Sequence, residues 1–445
     1  MVTAVIFTTV AYGAVHQPIL ALFYVITALI CLLLVADFYS AGRITYSRNL
    51  LQIPLLAASL YGLIQTVPYG STMIGGVSNV PQTISADPFA TQISALHFFA
   101  LFLFFAGGSI LIDSASRLRR LVMILMIFGF AYAFFAILQS VLSPDKIYGI
   151  YAREGAQPFG SFVNRHNYAA YMEMMIAVPL GLVVAGGIIK DKRLLYLTAV
   201  ALMGVSLLLS GSRGGFVALI VEVIVLVLLT TGAHGRHKLL TRFALIALLI
   251  AAIVGGSFFV GGESSLTRIA DTAQGSDITT GRSQIWEHTV KVIGSTMPLG
   301  AGFGAFGVAY TRFDSLSGLE RVEQAHNDYL QVLADAGLVG LLIGGFFLVV
   351  LFRRALGLTS ITNDYRRGVA IGAFAGIVAV LVHSLFDFVL HTTAVSLAFL
   401  SLLTLFSASY FPYSDDAENI GDRGVHGHRQ RRAKSVVSLK GRRVT

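Results

Sequence analysis

The chain has 445 residues, of which 55% are hydrophobic and only 12% charged; soluble domains carry about 25% charged residues, so a water-soluble globular protein is excluded. The formal net charge of +9 does not signal a nucleic-acid partner, because the basic residues cluster in short loops between apolar blocks, which is topology information. The single cysteine, Cys31, lies inside an apolar block and excludes a disulfide framework or a thiolate metal site.

Taken in chain order, the apolar blocks run at about Val2–Val15, Pro18–Phe38, Leu50–Val67, Ile93–Ile112, Leu118–Leu142, Tyr168–Ile189, Leu194–Ser210, Gly214–Thr231, Leu239–Val260, Tyr329–Phe352, Gly368–Leu390 and Thr393–Phe411. A helix needs roughly 17 to 25 apolar residues to cross a ~30 Å hydrocarbon core. These blocks lack the period-2 alternation of barrel strands. The expectation is an all-α polytopic membrane protein with about twelve transmembrane helices and one large loop before the tenth, the first span being short. No basic region precedes the first block, so no cleaved signal peptide is expected. There is no internal repeat and no second soluble domain.

Alternate loops differ sharply in basic content. Arg43 and Arg48, Arg117 to Arg120, Lys190 to Arg193, Arg236 to Arg242, Arg353 to Arg367 and the tail hold 23 of the 32 Lys and Arg residues. That set faces the cytoplasm by the positive-inside rule, with both termini inside. Residues 1–411 then form the membrane domain, with the outer loop at 261–327. The tail 412–445 is a basic cytoplasmic segment, and its low apolar content predicts disorder. The other nine basic residues, Lys146, Arg153, Arg165, Arg213, Arg268, Arg282, Lys291, Arg312 and Arg321, fall on the outer side.

Four outer clusters carry the polar chemistry. In QPFGSFVNRHN, Gln157–Asn167, Asn164 and Asn167 suit helix capping. Arg165 and His166 do not, because a cation at a helix N-terminus opposes the dipole unless an anion binds there. The turn SGSRGG, Ser210–Gly215, places Arg213 between glycines that permit close backbone approach. In TTGRSQIW, Thr279 or Thr280 suits a cap with Arg282 in the first turn. The following Gly300–Gly307 stretch lacks the Lys-Ser/Thr ending of a nucleotide-binding loop. In QAHNDYLQ, His326 sits where the loop returns to the membrane, with Asn327 or Asp328 as cap.

Each cluster alone has a plain reading: a cap, a turn, an interfacial histidine. Together, arginines on several outer helix ends with one histidine suit a site that grips a diphosphate and moves a proton, since the guanidinium fork matches phosphate oxygens and a neutral histidine takes a proton from a hydroxyl. No paired-aspartate motif lies on the outer side, so no metal and no cofactor is called for. Glu173, Glu222, His383 and Asp387 fall within spans and Asp335 near an end; intramembrane ionisable groups are functional candidates. Lacking a basic intramembrane partner, they suit interhelical hydrogen bonding better than a proton relay.

The ordered set GSFVNRHNYAAY, LSGSRGG, TTGRSQIWEHTV with PLGAGFGAF, AHNDYLQVLADAGLVGLL and HSLFDFVLH resembles the O-antigen ligase and polymerase superfamily, from about Phe159 to Phe406. The resemblance implies a metal-independent, inverting membrane glycosyltransferase using an undecaprenyl-diphosphate-linked glycan donor on the periplasmic face of the bacterial inner membrane. It implies that Arg213 and Arg282 hold the donor diphosphate and that His326 activates the acceptor hydroxyl. Arg165, His166, Asn167, Asn327 and Arg321 are assigned to substrate binding; this chain reads NRHN where some members read NRNH, which affects the placement of His166. Three activities share the scaffold, with lipid A-core, a growing glycan or a protein as acceptor, and the ligase is favoured. The competing class is a lipid-linked glycan flippase or transporter, which predicts inverted repeats and broken helices; a catalytically dead scaffold is the third.

Overall fold

The computed structural model describes residues 1–74, 76–153, 156–231, 282–314, 321–411 and 434–438. Its helices are α1 Val2–Val10, α2 Gln17–Ala41, α3 Ile53–Gln65, α4 Pro88–Leu111, α5 Ala115–Leu142, α6 Arg165–Ala185, α7 Lys190–Leu209, α8 Arg213–Thr231, α9 Arg282–Thr296, α10 Phe306–Tyr310, α11 Asp328–Ala355, α12 Asp364–His383 and α13 Thr393–Ala408. Eight of the described helices are long and apolar enough to cross a membrane.

Eight of the twelve expected spans recur among the described residues as helices of spanning length. The first block forms only a nine-residue α1, about 14 Å long, because the chain turns at Tyr12 (φ 57) and Gly13 (φ 71). Leu50–Gln65 and Thr393–Ala408 are apolar but shorter than the eight. The expected span Leu239–Val260, with Arg268, Thr279 and Thr280, lies outside the described residues. So does most of the tail; within it, Lys434–Ser438 pairs antiparallel with Arg43–Ser47.

Local sequence sets the helix starts. Asp87, Ser114, Asn164, Asn327 and Asn363 each accept a backbone N–H in the first turn of α4, α5, α6, α11 and α12, satisfying donors that have no partner within the helix. Prolines at the first positions of α2, α3 and α4 fit because their missing N–H is not needed there.

The centre of the bundle is the antiparallel pair α6–α12, the two most buried spans. Their backbones touch: a Cβ on Gly181 would stand 2.5 Å from Gly372 Cα, and one on Gly376 2.6 Å from Ala177 Cβ. Gly368, Gly372 and Gly376 recur every fourth residue, the small-residue stripe that lets membrane helices gain close van der Waals packing where lipid supplies no hydrophobic drive. This pairing brings the start of α6 to the end of α12.

One helix is interrupted. α11 loses helical geometry at Gly337 (φ 56, ψ −138), and the segment after α9 fills the break. Pro298 O accepts from Leu338 N at 2.9 Å, Ala301 N donates to Ala334 O at 2.8 Å and Gly302 N to Asp335 O at 2.9 Å. Gln65 Nε2 donates to Asp335 O at 2.9 Å. Gly300 sits so close to the Asp335 carbonyl that no side chain fits. The glycine-rich stretch is therefore a plug that satisfies the backbone of a broken helix, as irregular backbone at membrane depth requires.

Candidate functional site

The site assembles where several helix ends meet the turn Ser384–Phe388 after α12. Its hub is Asp387. The sequence pattern places this residue inside a span; the structure places it beyond the end of α12, with its side chain only 1% exposed. It is not an interhelical hydrogen-bonding group without a cationic partner. Arg282, first residue of α9, donates from Nη2 to Asp387 Oδ2 at 3.0 Å and from Nη1 to Phe386 O. His326 Nδ1 lies 3.2 Å from Asp387 Oδ1, and His166 Nδ1 lies 3.8 Å from Oδ2. Burial alone would raise the Asp387 carboxyl, but the His326 hydrogen bond and the charges of His166 and Arg282 outweigh it and hold the group well below the usual carboxylate range.

The other predicted residues arrive from neighbouring helix starts. His166 Nδ1 contacts Ser212 Oγ at 2.9 Å, which ties the first turn of α6 to the turn before α8. Arg213 is the first residue of α8 and is bracketed by Ser212 and by Gly214, whose would-be Cβ stands 3.3 Å from Phe386 Cβ. A Cβ on Gly214 would also fall 2.7 Å from His383 Cδ2, and one on Gly215 2.7 Å from Ala169 Cβ. These two glycines thus serve close helix packing. Arg165 Nη1 lies 3.5 Å from the position of a Cβ on Gly211.

Asn167 does not cap: it lies within α6, and its Nδ2 donates to Thr392 Oγ1 at 2.6 Å. Asn327 does, accepting from Tyr329 N at 2.9 Å and Leu330 N at 3.0 Å, while its Nδ2 donates to Leu385 O at 2.9 Å. Asn327 thus holds backbone beside the site, while Asn167 ties α6 to the Thr392 side chain. Arg321 forms an exposed ion pair with Glu323 at 3.2 Å, and no described contact joins it to the Asp387 cluster.

His326 has φ 50, a conformation uncommon outside glycine and enriched at functional sites. Its position is overdetermined. Trp286 Nε1 donates to Ala325 O at 3.0 Å, Ala325 N donates to Gln331 Oε1 at 2.7 Å, and Phe388 packs edge-on against the imidazole at 4.8 Å.

Two further features border the cluster. Within the membrane, His383 Nδ1 lies 3.3 Å from both Glu173 oxygens, and all three of Glu173, His383 and Glu222 are fully buried. Beside the start of α11, an apolar cavity of about 420 Å³ runs between α3, α4, α11 and α13, from Asp328 and Ser384 at one end to Leu51 at the other.

The matched family now has a geometric setting. Residues 198–344 match the family model described as O-antigen ligase. That segment belongs to the O-antigen ligase superfamily. It contains Arg213, Arg282 and His326. No curated protein matches the chain. The match and the eight helices of spanning length among the described residues make this a multi-pass membrane protein with an O-antigen ligase-like segment.

The sequence marked Asp387 only as an intramembrane ionisable group suited to interhelical hydrogen bonding, because a hydropathy block does not reveal where its helix stops. A signal was present: His383, Asp387 and His391 recur every fourth residue in HSLFDFVLH. Asp328 and Ser212 lay in clusters the sequence singles out, as a cap candidate and within the SGSRGG turn, without any sign of the side chains they meet.

Proposed function

We propose that the chain transfers a glycan from an undecaprenyl-diphosphate-linked donor to an acceptor hydroxyl on the periplasmic face of the inner membrane, with lipid A-core as the acceptor, without a metal and with inversion. The observation that carries this reading is the convergence of three arginine-bearing helix starts (Arg165, Arg213 and Arg282) on the turn that holds His326 through Asp387. Helix N-termini and guanidinium groups both favour an anion, and a diphosphate supplies the oxygens that the guanidinium forks match.

The chemistry follows from the Asp387 hydrogen bonds. A carboxylate only accepts, so Nδ1 of His326 carries the proton and Nε2 is left as the base. Nε2 takes the proton of the acceptor hydroxyl as its oxygen attacks the anomeric carbon. The bond from that carbon to the diphosphate breaks on the opposite face, and its electron pair leaves with the diphosphate. Arg213 and Arg282 stabilise that developing charge. Asp387, buried behind Arg282 and His326, orients both and supports the imidazolium. The apolar cavity that opens at Asp328, two residues after His326, receives the start of the donor's polyisoprenyl chain, which must begin close to the diphosphate.

Purified protein reconstituted with an undecaprenyl-diphosphate glycan tests the reading. Glycosylated lipid A-core is the expected product, unaffected by EDTA. Longer lipid-linked chains or modified protein instead would reassign the acceptor. No product with any of these acceptors, beside a working control enzyme, would sink the enzymatic claim.

A further inference from the structure

Asp387 and His326 lie on different elements, the turn after α12 and the segment before α11, yet their separation decides whether Nδ1 of His326 is held. A second carboxylate spans that gap. Asp328, two residues after His326, accepts from Ser384 Oγ at 2.8 Å and from Leu390 N at 3.3 Å through Oδ2. Its Oδ1 lies 2.9 Å from His391 Nδ1, and its own N–H donates to Ser384 O at 2.9 Å. Ser384 precedes Asp387 by three residues and His391 follows it by four, so one side chain grips the Asp387 turn on both flanks. Asp328 is buried, its side chain 10% exposed, and among the described contacts it touches neither Arg282 nor His326.

His391 is suited to this grip. Burial lowers its pKa, but the hydrogen bond to Asp328 and the charges of Asp328 and Asp335 raise it further, leaving it above the ordinary value. Its pair with Asp328 is therefore charge-assisted, which shortens and strengthens the bond. The positive φ of His326 makes the same demand, since a strained backbone persists only where its surroundings overdetermine it.

We propose that Asp328 and His391 are a positioning pair that fixes the Asp387 turn against the His326 segment and so sets the geometry of proton transfer. This rests on the glycosyltransferase reading, in which His326 is the base. The pair acts through His326 and Asp387 and does not contact the reacting atoms.

The test is steady-state transfer by the full-length protein in proteoliposomes, with donor and acceptor varied separately. His391→Ala is expected to lower kcat about 10- to 100-fold, the cost of a roughly 1 Å misplacement, with KM for both substrates unchanged. His391→Asn, which keeps a donor near the position of Nδ1, is expected to recover most of that loss. Ser384→Ala removes one donor to Asp328 and is expected to lower kcat by a smaller factor, again at constant KM; it serves if His391→Ala does not fold. A raised donor KM with unchanged kcat, wild-type rates in His391→Ala and Ser384→Ala, or failure of His391→Asn to rescue a folded protein would each overturn the proposal. His326→Ala, run alongside, separates the two levels: activity retained there overturns the reading of the reaction, whatever His391 does.

Discussion

Two histidine–carboxylate pairs sit a few residues apart in this protein and are built for different ends. His326 and Asp387 lie 3.2 Å apart with side chains 31% and 1% exposed. His383 and Glu173 lie 3.3 Å apart and are both fully buried. The contact is nearly the same, and the surroundings differ. The first pair has Arg282 on its carboxylate, and its imidazole reaches solvent. The second is sealed among α6, α8 and α12, and its free Nε2 is pressed against Gly214 without a hydrogen-bond partner among the described residues. An imidazole can serve as a base only where a hydroxyl can reach it, so access, more than the pair itself, separates a reacting group from a packing one.

The sharpest way to break the comparison is to remove each imidazole in turn. His326→Ala is expected to lower kcat by about 10²- to 10⁴-fold, the span general base catalysis supplies, with the fold intact. Glu173→Ala or Glu222→Ala abolishing activity while His326→Ala leaves transfer untouched would reverse the assignment and favour a transporter. Next in size is Arg282→Ala, expected to lower kcat/KM about 10²- to 10³-fold and to destabilise the protein by roughly 3 kcal/mol, because buried Asp387 loses its cation. Arg282→Lys should recover only part of the activity, since an ammonium lacks the fork that spans Asp387 and the Phe386 carbonyl.

Asp387→Asn is expected to cost about 10-fold or more in kcat, read by the same assay, because an amide can offer His326 a donor in place of an acceptor and so select the wrong tautomer. Glu222→Gln should leave the rate within about threefold, as both carboxylate oxygens lack hydrogen-bond partners among the described residues. The smallest effect is on pH. The folded Asp387 carboxyl is held below its unfolded value of about 3.9, so its contribution is present above that pH and lost as pH falls through the depressed value. The stability gap between wild type and Asp387→Asn should stay level from about pH 5 to 8 and narrow below about pH 4. A gap that widens on acidification would contradict the depressed carboxyl.

The broken helix bears on the same comparison. Discontinuous membrane helices often mark transporters, where the freed backbone lines a substrate path. At Gly337 of α11 the freed groups are instead taken by Pro298, Ala301 and Gly302, so this break is filled by the chain itself. It fixes the first part of α11, which begins two residues after His326.

Apolar block length and the absence of alternation determined, from sequence alone, that this is a helical membrane protein, because crossing lipid requires each backbone group to be satisfied within its own segment. Arg165 and Arg282 stood out in the sequence because a cation at a helix start opposes the helix dipole unless an anion binds there, and His326 because it stands where the long loop returns to the membrane. The capping of α6 by Asn164 and of α11 by Asn327 was readable because capping is local. The contacts of Asp387 and Asp328 and the pairing of Glu173 with His383 were not. Where a helix stops inside an apolar block, and which carboxylate then meets which imidazole, depends on contacts between residues 46 to 210 positions apart, such as His166 with Ser212 and Glu173 with His383. Those contacts exist only once α6 and α12 have closed on their glycines, and only the tertiary structure decides them.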